Sequence, residues 1–311
     1  MINAELAFVF PGQGSQTVGM MMDLANRFPV VIETFEQASV ALGYDVIELV
    51  QQGPAAKLNQ TQFAQPALLA AGYAAWRIWG QLTAERPAVM AGHSLGEFTA
   101  LVCAGAITFE DGLQLVADRG KYMQDAVPNG AGAMAAIVGL DEEKVVALCH
   151  QIAIGQVVSA ANYNAIGQTV ISGTKQAVEA VIKLAIQAGA KLAKILPVSV
   201  PSHCQLMQPA AERFAARLVE VKLLRPAIPV IHNVDVKMHD NVEAIKAALV
   251  KQLCSPVRWV ETIQAMANQG VKQIIECGPG QVLTGLTKRI SRTLNAIPIA
   301  TSCVLVEKEN N

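Results

Sequence analysis

The sequence predicts an α/β protein in which a mostly parallel sheet, covered by helices on both faces, carries a smaller inserted β-α-β-β-α-β unit. Three observations carry this prediction. Short apolar runs at residues 6–10, 88–91, 228–233, 271–277 and 296–300 are separated by helical stretches, the rhythm of parallel strands joined by crossover helices. The first two of these runs are apolar throughout rather than alternately, as strands buried on both faces are. Between Gly130 and Val200 the rhythm changes to closely spaced strands with two helices among them.

The elements follow in order. Residues 6–10 form the first strand and turn sharply at Pro11-Gly12-Gln13-Gly14-Ser15. A second strand at 88–91 runs into Gly92-His93-Ser94-Leu95-Gly96, followed by an apolar helix over 97–104. A further helix is expected over 111–124, with Leu113, Val116, Ala117 and Gly120 on its apolar side. In the changed region, 133–140 is a strand. Asp141 is placed to cap a helix through Ile152, with Glu142 and Glu143 in the first turn where the helix dipole favours acids. Strands at 157–163 and 168–172 flank Asn164-Ala165-Ile166-Gly167 as a hairpin. An amphipathic helix over 175–188 stops at Gly189, and 191–200 closes the unit as a strand. This order is ferredoxin-like. The expected division is therefore 1–129 with 201–311 as the large unit and 130–200 as the small one; 307–311 is a polar tail.

Composition narrows the function. The chain has 311 residues, is 52% hydrophobic, and balances 24 Lys+Arg against 25 Asp+Glu. That excludes disorder and argues against nucleic-acid binding by general basicity. A mean hydropathy of +0.34 calls for a membrane check. The longest stretch without Asp, Glu, Lys or Arg, 145–174, contains His150, Asn162, Asn164 and Gln168, which a lipid-facing helix would leave unpaired. The first residues, Met1-Ile2-Asn3-Ala4-Glu5, lack the basic start of a signal peptide. A soluble, cytoplasmic, monomeric protein is expected. Cysteines at 103, 149, 204, 254, 277 and 303 form no Cys-x-x-Cys pair, so reduced thiols are expected rather than zinc or a disulfide framework.

The sharpest chemical signal is Gly92-His93-Ser94-Leu95-Gly96. Ten serines and 23 glycines in 311 residues give roughly 0.05 chance occurrences of Gly-x-Ser-x-Gly, and the strand–turn–helix context is what makes it a nucleophile elbow. A nucleophilic serine needs a base. His93 should leave the turn in another direction, His150 belongs to a solvated helix, and His239 beside Asp240 belongs to a surface loop. His203 and His232 both lie at strand ends, and from spacing either could face the serine. Cys204 is expected to be a buried thiol. The loop after the first strand is not a phosphate grip. Thr17 breaks Gly-x-Gly-x-x-Gly, and the six-residue glycine spacing from Gly14 to Gly19 lacks the following Lys. Its N–H groups could instead serve an oxyanion. Arg119 and Gln252 look ordinary by composition alone.

Seven motifs then act together: Phe10-Pro11-Gly12-Gln13-Gly14-Ser15-Gln16, Gln65-Pro66-Ala67, Gly92-His93-Ser94-Leu95-Gly96-Glu97, Arg119-Gly120, Asn162-Tyr163-Asn164, Val198-Ser199-Val200-Pro201-Ser202-His203 and Gly278-Pro279-Gly280. On these the chain resembles the malonyl-CoA:acyl-carrier-protein transacylases of bacterial fatty-acid synthesis, to about Arg292. The resemblance implies an α/β-hydrolase-like core with the ferredoxin-like insertion. It implies Ser94 as nucleophile, His203 as base, Arg119 as the clamp on the malonyl carboxylate and Gln252 as the group holding the histidine. The Gln13 and Leu95 N–H groups would form the oxyanion hole. The implied substrate is malonyl-CoA and the implied partner acyl carrier protein, which brings its own phosphopantetheine, so no cofactor or metal is expected. Lys191, Lys194, Lys288, Arg289 and Arg292 are expected to help dock an acidic carrier. Two positions depart from the family pattern: Ile166 replaces a usual Pro in the hairpin turn, and Phe98 a usual Tyr. Neither is expected to touch a catalytic group. The elbow by itself would equally serve an esterase or thioesterase, and a non-catalytic carrier-binding module is a third reading.

Overall fold

The computed structural model describes residues 1–198 and 200–300, so Cys303, the 307–311 tail and Ser199 lie outside the described residues. Nine strands occur among the described residues: β1 (Ile2–Phe10), β2 (Arg86–Gly92), β3 (Gly132–Val138), β4 (Val158–Ala165), β5 (Gln168–Thr174), β6 (Leu192–Ile195), β7 (Val230–Ile231), β8 (Gln273–Glu276) and β9 (Asn295–Pro298). They make two sheets, ordered β7-β2-β1-β8-β9 and β4-β5-β3-β6.

Every pair in the five-stranded sheet is parallel. Its central strand shows why the apolar runs are continuous. Leu6, Phe8 and Phe10 point to one face, where Phe8 meets Trp76 and Trp79 edge-on from the helix Thr61–Leu82. Ala7 and Val9 point to the other, against Trp259, Ile263 and Leu283. The five side chains from Leu6 to Phe10 are fully buried, and each large one contributes roughly 1.5–3 kcal/mol over an exposed position.

The four-stranded sheet is antiparallel throughout. The helices Glu142–Ile152 and Lys175–Gln187 cover one face, packing Val145, Cys149, Val178 and Val181 on Ala135, Ile137 and Ile171. This is the ferredoxin-like order with β3 and β5 central. Its other face carries Met134 and Val170 toward a cleft between the sheets. β4 is stitched to the large sheet's side of the molecule by Tyr163 N–H to Val257 O and Val257 N–H to Ala161 O, both 2.9 Å.

Differences from the sequence expectations have local causes. The 228–233 run pairs over Val230–Ile231 alone, because the chain turns back at His232 and Asn233 to bond Glu97. The strand expected over 191–200 stops at Ile195, where Leu196 turns inward beside the cleft. The hairpin turn shrinks to Ile166-Gly167, with Gly167 at φ 71°, because Asn164 and Ala165 remain in β4. Asp141 stands at the helix start without a side-chain capping bond. Residues 22–82, which carry no strand signal, fold into helices that include Val30–Leu42 and Thr61–Leu82. No helix among the described residues is long and apolar enough to cross a membrane.

Candidate active site

The elbow exists because its glycines have no Cβ. A Cβ on Gly92 would lie 1.8 Å from Gly96 C, and one on Gly96 would lie 2.0 Å from Phe10 O. The turn between β2 and the helix Leu95–Cys103 is therefore as tight as backbone allows. Ser94 is held at φ 52°, ψ −106°, a strained conformation for a side chain-bearing residue. Asn233 buckles the turn from below: its Oδ1 accepts from Ser94 N–H at 2.7 Å and its Nδ2 donates to Gly92 O at 2.7 Å.

Ser94 Oγ lies 2.7 Å from His203 Nε2. The other ring nitrogen, Nδ1, lies 2.8 Å from the main-chain oxygen of Gln252. A carbonyl only accepts, so Nδ1 carries the proton and Nε2 presents its lone pair to the serine. The Gln252 contact differs from the expectation in kind. The backbone holds the histidine, while the Gln252 side chain points elsewhere: Nε2 donates to Glu97 Oε2 (2.8 Å) and Ser94 O (3.1 Å), and Oε1 accepts from Arg119. The His203 imidazole is driven down from 6.5 to about 3, first by burial and then by the Arg119 charge.

Arg119 reaches the same serine from the opposite wall. It is 1% exposed, and donates from Nη1 to Gln65 Oε1 (2.8 Å), from Nη2 to Gln252 Oε1 (2.8 Å) and more weakly from Nη2 to Ser94 Oγ (3.4 Å). Its Nε–H is buried without a partner. Burial lowers its pKa to about 10, with Glu97 acting in the other direction, so it stays charged. The guanidinium carbon lies 5.3 Å from the Phe98 ring centroid. Phe98 thus offers its π face to Arg119, the expected substrate clamp.

Gln13 and Leu95 line the same cleft of about 210 Å³, with Asn162, Asn164, Met134, Val200 and Leu286 among its other walls. Neither of their backbone N–H groups donates a hydrogen bond among the described residues. His93 turns away from the serine, as expected, and its Nε2 lies 2.8 Å from Asn164 Oδ1. His232 makes no hydrogen bond to the serine among the described residues: its Nδ1 lies 2.7 Å from Glu97 Oε1 and its Nε2 is buried without a partner. His150 is exposed and His239 pairs with Asp235. Burial pushes the Cys204 thiol up, and the five described cysteines are free. No cluster of three or more metal-ligating side chains occurs among the described residues.

Sequence reasoning quoted Gln65 and Glu97 inside motifs and Asn233 at a strand end, but gave none of them a task. Glu97 could have been found: a carboxylate one turn into an apolar helix must be buried or paired. Asn233 left no such trace.

A serine on a strand–turn–helix elbow, paired with a neutral imidazole beside a buried guanidinium, defines an acyl-handling serine enzyme of the α/β class. Comparison with known proteins places it further. The chain belongs to the family described as "Acyl transferase domain", whose model matches residues 7–310. It is 56% identical to a malonyl CoA-acyl carrier protein transacylase from Escherichia coli (strain K12) over 292 residues, 94% of each chain. It superposes on the malonyl CoA-acyl carrier protein transacylase of Coxiella burnetii with TM-score 0.96 and 53% identity, covering 98% of this chain and 97% of that one. A malonyl-transacylase solved in complex with a type II PKS acyl-carrier protein matches at TM-score 0.97 and 54% identity, over 99% and 100% of the two chains.

Proposed function

We propose that this protein moves a malonyl group from malonyl-CoA to the phosphopantetheine thiol of an acyl carrier protein through a malonyl-Ser94 ester. One observation carries the reading: the lone pair of His203 and the charge of Arg119 converge on one serine oxygen. Ser94 Oγ attacks the thioester carbonyl as its proton passes to His203 Nε2, and the tetrahedral oxyanion forms between the free Gln13 and Leu95 N–H groups. Each such donor is worth about 3–4 kcal/mol in comparable hydrolases. The C–S bond then breaks, and coenzyme A leaves as the thiol with the proton His203 had taken. The carrier's thiol attacks the ester in the reverse sense and restores Ser94, a ping-pong double displacement.

Arg119 supplies the choice of acyl group. Of its five N–H groups, two are committed to Gln65 and Gln252, leaving the unpartnered Nε–H and others for a carboxylate. A neutral acyl group would leave that donor orphaned. The small unit, 130–200, roofs the cleft over the large unit formed by 1–129 and 201–311. Lys191, Lys194, Lys288, Arg289 and Arg292 are all exposed, and they are proposed to receive the acidic carrier. The protein would act as a cytoplasmic monomer without a cofactor of its own.

Mass spectrometry after malonyl-CoA treatment should place the acyl group on the Ser94 peptide. An unlabelled Ser94, or transfer retained in Ser94→Ala, would refute the proposal. Release of free malonate in place of transfer would favour the thioesterase reading.

A further inference from the structure

The carboxylate of Glu97 is fully buried and takes no direct part in the reaction above. It accepts from His232 Nδ1 (2.7 Å), Asn233 N–H (2.9 Å) and Gln252 Nε2 (2.8 Å). The buried cation nearest in this network is Arg119, yet no ion pair joins the two; the Gln252 amide stands between them, its Nε2 on Glu97 and its Oε1 on Arg119. The amide has one permitted orientation. Both neighbours of Nε2, Glu97 Oε2 and Ser94 O, can only accept in this state, and Arg119 can only donate. Turning the amide over would set donor against donor and acceptor against acceptor.

We infer that Glu97 is a positioning residue for malonyl selectivity: it serves as the buried counter-charge of Arg119 at one remove, locking Gln252 so that a neutral amide, rather than a carboxylate, contacts the guanidinium. The arrangement resolves a conflict between two needs. A buried guanidinium without an anion is costly. One in direct contact with a carboxylate is neutralised and must be separated from it before a substrate carboxylate can bind. With the anion held behind an amide, Arg119 keeps its charge, its orientation and an unpartnered Nε–H. Glu97 also acts to raise the Arg119 pKa against the effect of burial.

This inference rests on Arg119 being the carboxylate clamp, and the test separates the two. The readout is the ratio of kcat/KM for malonyl-CoA to that for acetyl-CoA, with kcat and KM resolved, in wild type, Arg119→Ala, Glu97→Gln and the swap Glu97→Gln with Gln252→Glu. The swap preserves net charge but brings the carboxylate onto Arg119. The ratio should fall about tenfold or more in Glu97→Gln and in the swap, because one lacks the counter-charge and the other quenches the clamp. If Arg119→Ala leaves the ratio unchanged, the clamp reading fails. If Arg119→Ala lowers it but Glu97→Gln slows both substrates equally, Glu97 is merely structural and the inference fails. A swap variant that keeps the wild-type ratio overturns the relay even if Glu97→Gln does not fold.

Discussion

Acidification should weaken this protein specifically through His203. The imidazole is 2% exposed, and its pKa falls from 6.5 in the open chain to about 3 in the fold. Above pH 6.5 it is neutral in both states and costs nothing. As pH falls from 6.5 toward about 3, the unfolded chain binds a proton that the folded chain refuses, so stability drops by about 1.4 kcal/mol per pH unit. The assay is chemical denaturation of wild type and His203→Ala at half-unit steps from pH 7 to 4. Other groups, including His93, whose pKa burial also lowers, act on both curves and cancel in the difference. The wild-type curve should lose stability faster than the variant's by about 1.4 kcal/mol per unit below pH 6. In single-turnover acylation by malonyl-CoA, the same shift removes any inflection near 6.5. Parallel stability curves, or an acid limb centred near 6.5, would show that His203 titrates normally and that the geometry does not impose its neutral state.

Three further outcomes follow from other parts of the molecule. Gly96→Ala puts a methyl group 2.0 Å from Phe10 O, and the elbow cannot yield without unpairing β1 from β2; a loss above about 4 kcal/mol is expected, seen as absence of soluble protein on expression. Asn233→Ala strips the Ser94 N–H and the Gly92 carbonyl of their partners, and two buried orphans should cost about 2–6 kcal/mol in urea unfolding. Reversing Lys191, Lys194 and Lys288 to Glu should raise the apparent KM for the carrier protein at low salt while leaving that for malonyl-CoA in place. An unchanged carrier KM would remove this face from the docking surface.

The architecture was legible where burial writes itself into sequence. The five core strands announce themselves as short, mostly apolar runs and β3 through β6 as a second rhythm; a polar side chain enters a core strand only when bonded, as Glu276 is to the N–H groups of Leu283 and Thr284. Strand ends were less legible: nothing in Ile231-His232-Asn233 says that pairing stops before the histidine. In the site, Ser94 was legible because Gly92 and Gly96 are forced by the turn. His203 was not separable from His232 by spacing. The contact that separates them is His203 Nε2 on Ser94 Oγ, across 109 residues that no local pattern spans, while His232 Nδ1 lies on Glu97. Gln252 meets the histidine, but through an atom that the sequence does not single out. A sequence names side chains, but the histidine is held by a backbone oxygen, which every residue possesses.

That backbone contact shapes how selectivity should be expressed. In many serine enzymes a carboxylate behind the histidine stabilises the imidazolium as it forms. Here a neutral carbonyl occupies that place, and the charge nearest the ring is Arg119, which opposes protonation. The resting base is therefore weak. On the proposed reading of Arg119 as the clamp, a malonyl group would bring its own carboxylate to the guanidinium, and that anion would offset the cation's push on His203 at the moment the serine proton must move. An acetyl group brings no such relief, even when fully bound. Discrimination thus belongs partly to the chemical step and not to binding alone. Acylation at saturating thioester should be slower for acetyl-CoA than for malonyl-CoA, and equal saturating rates would mean that Arg119 acts on binding only.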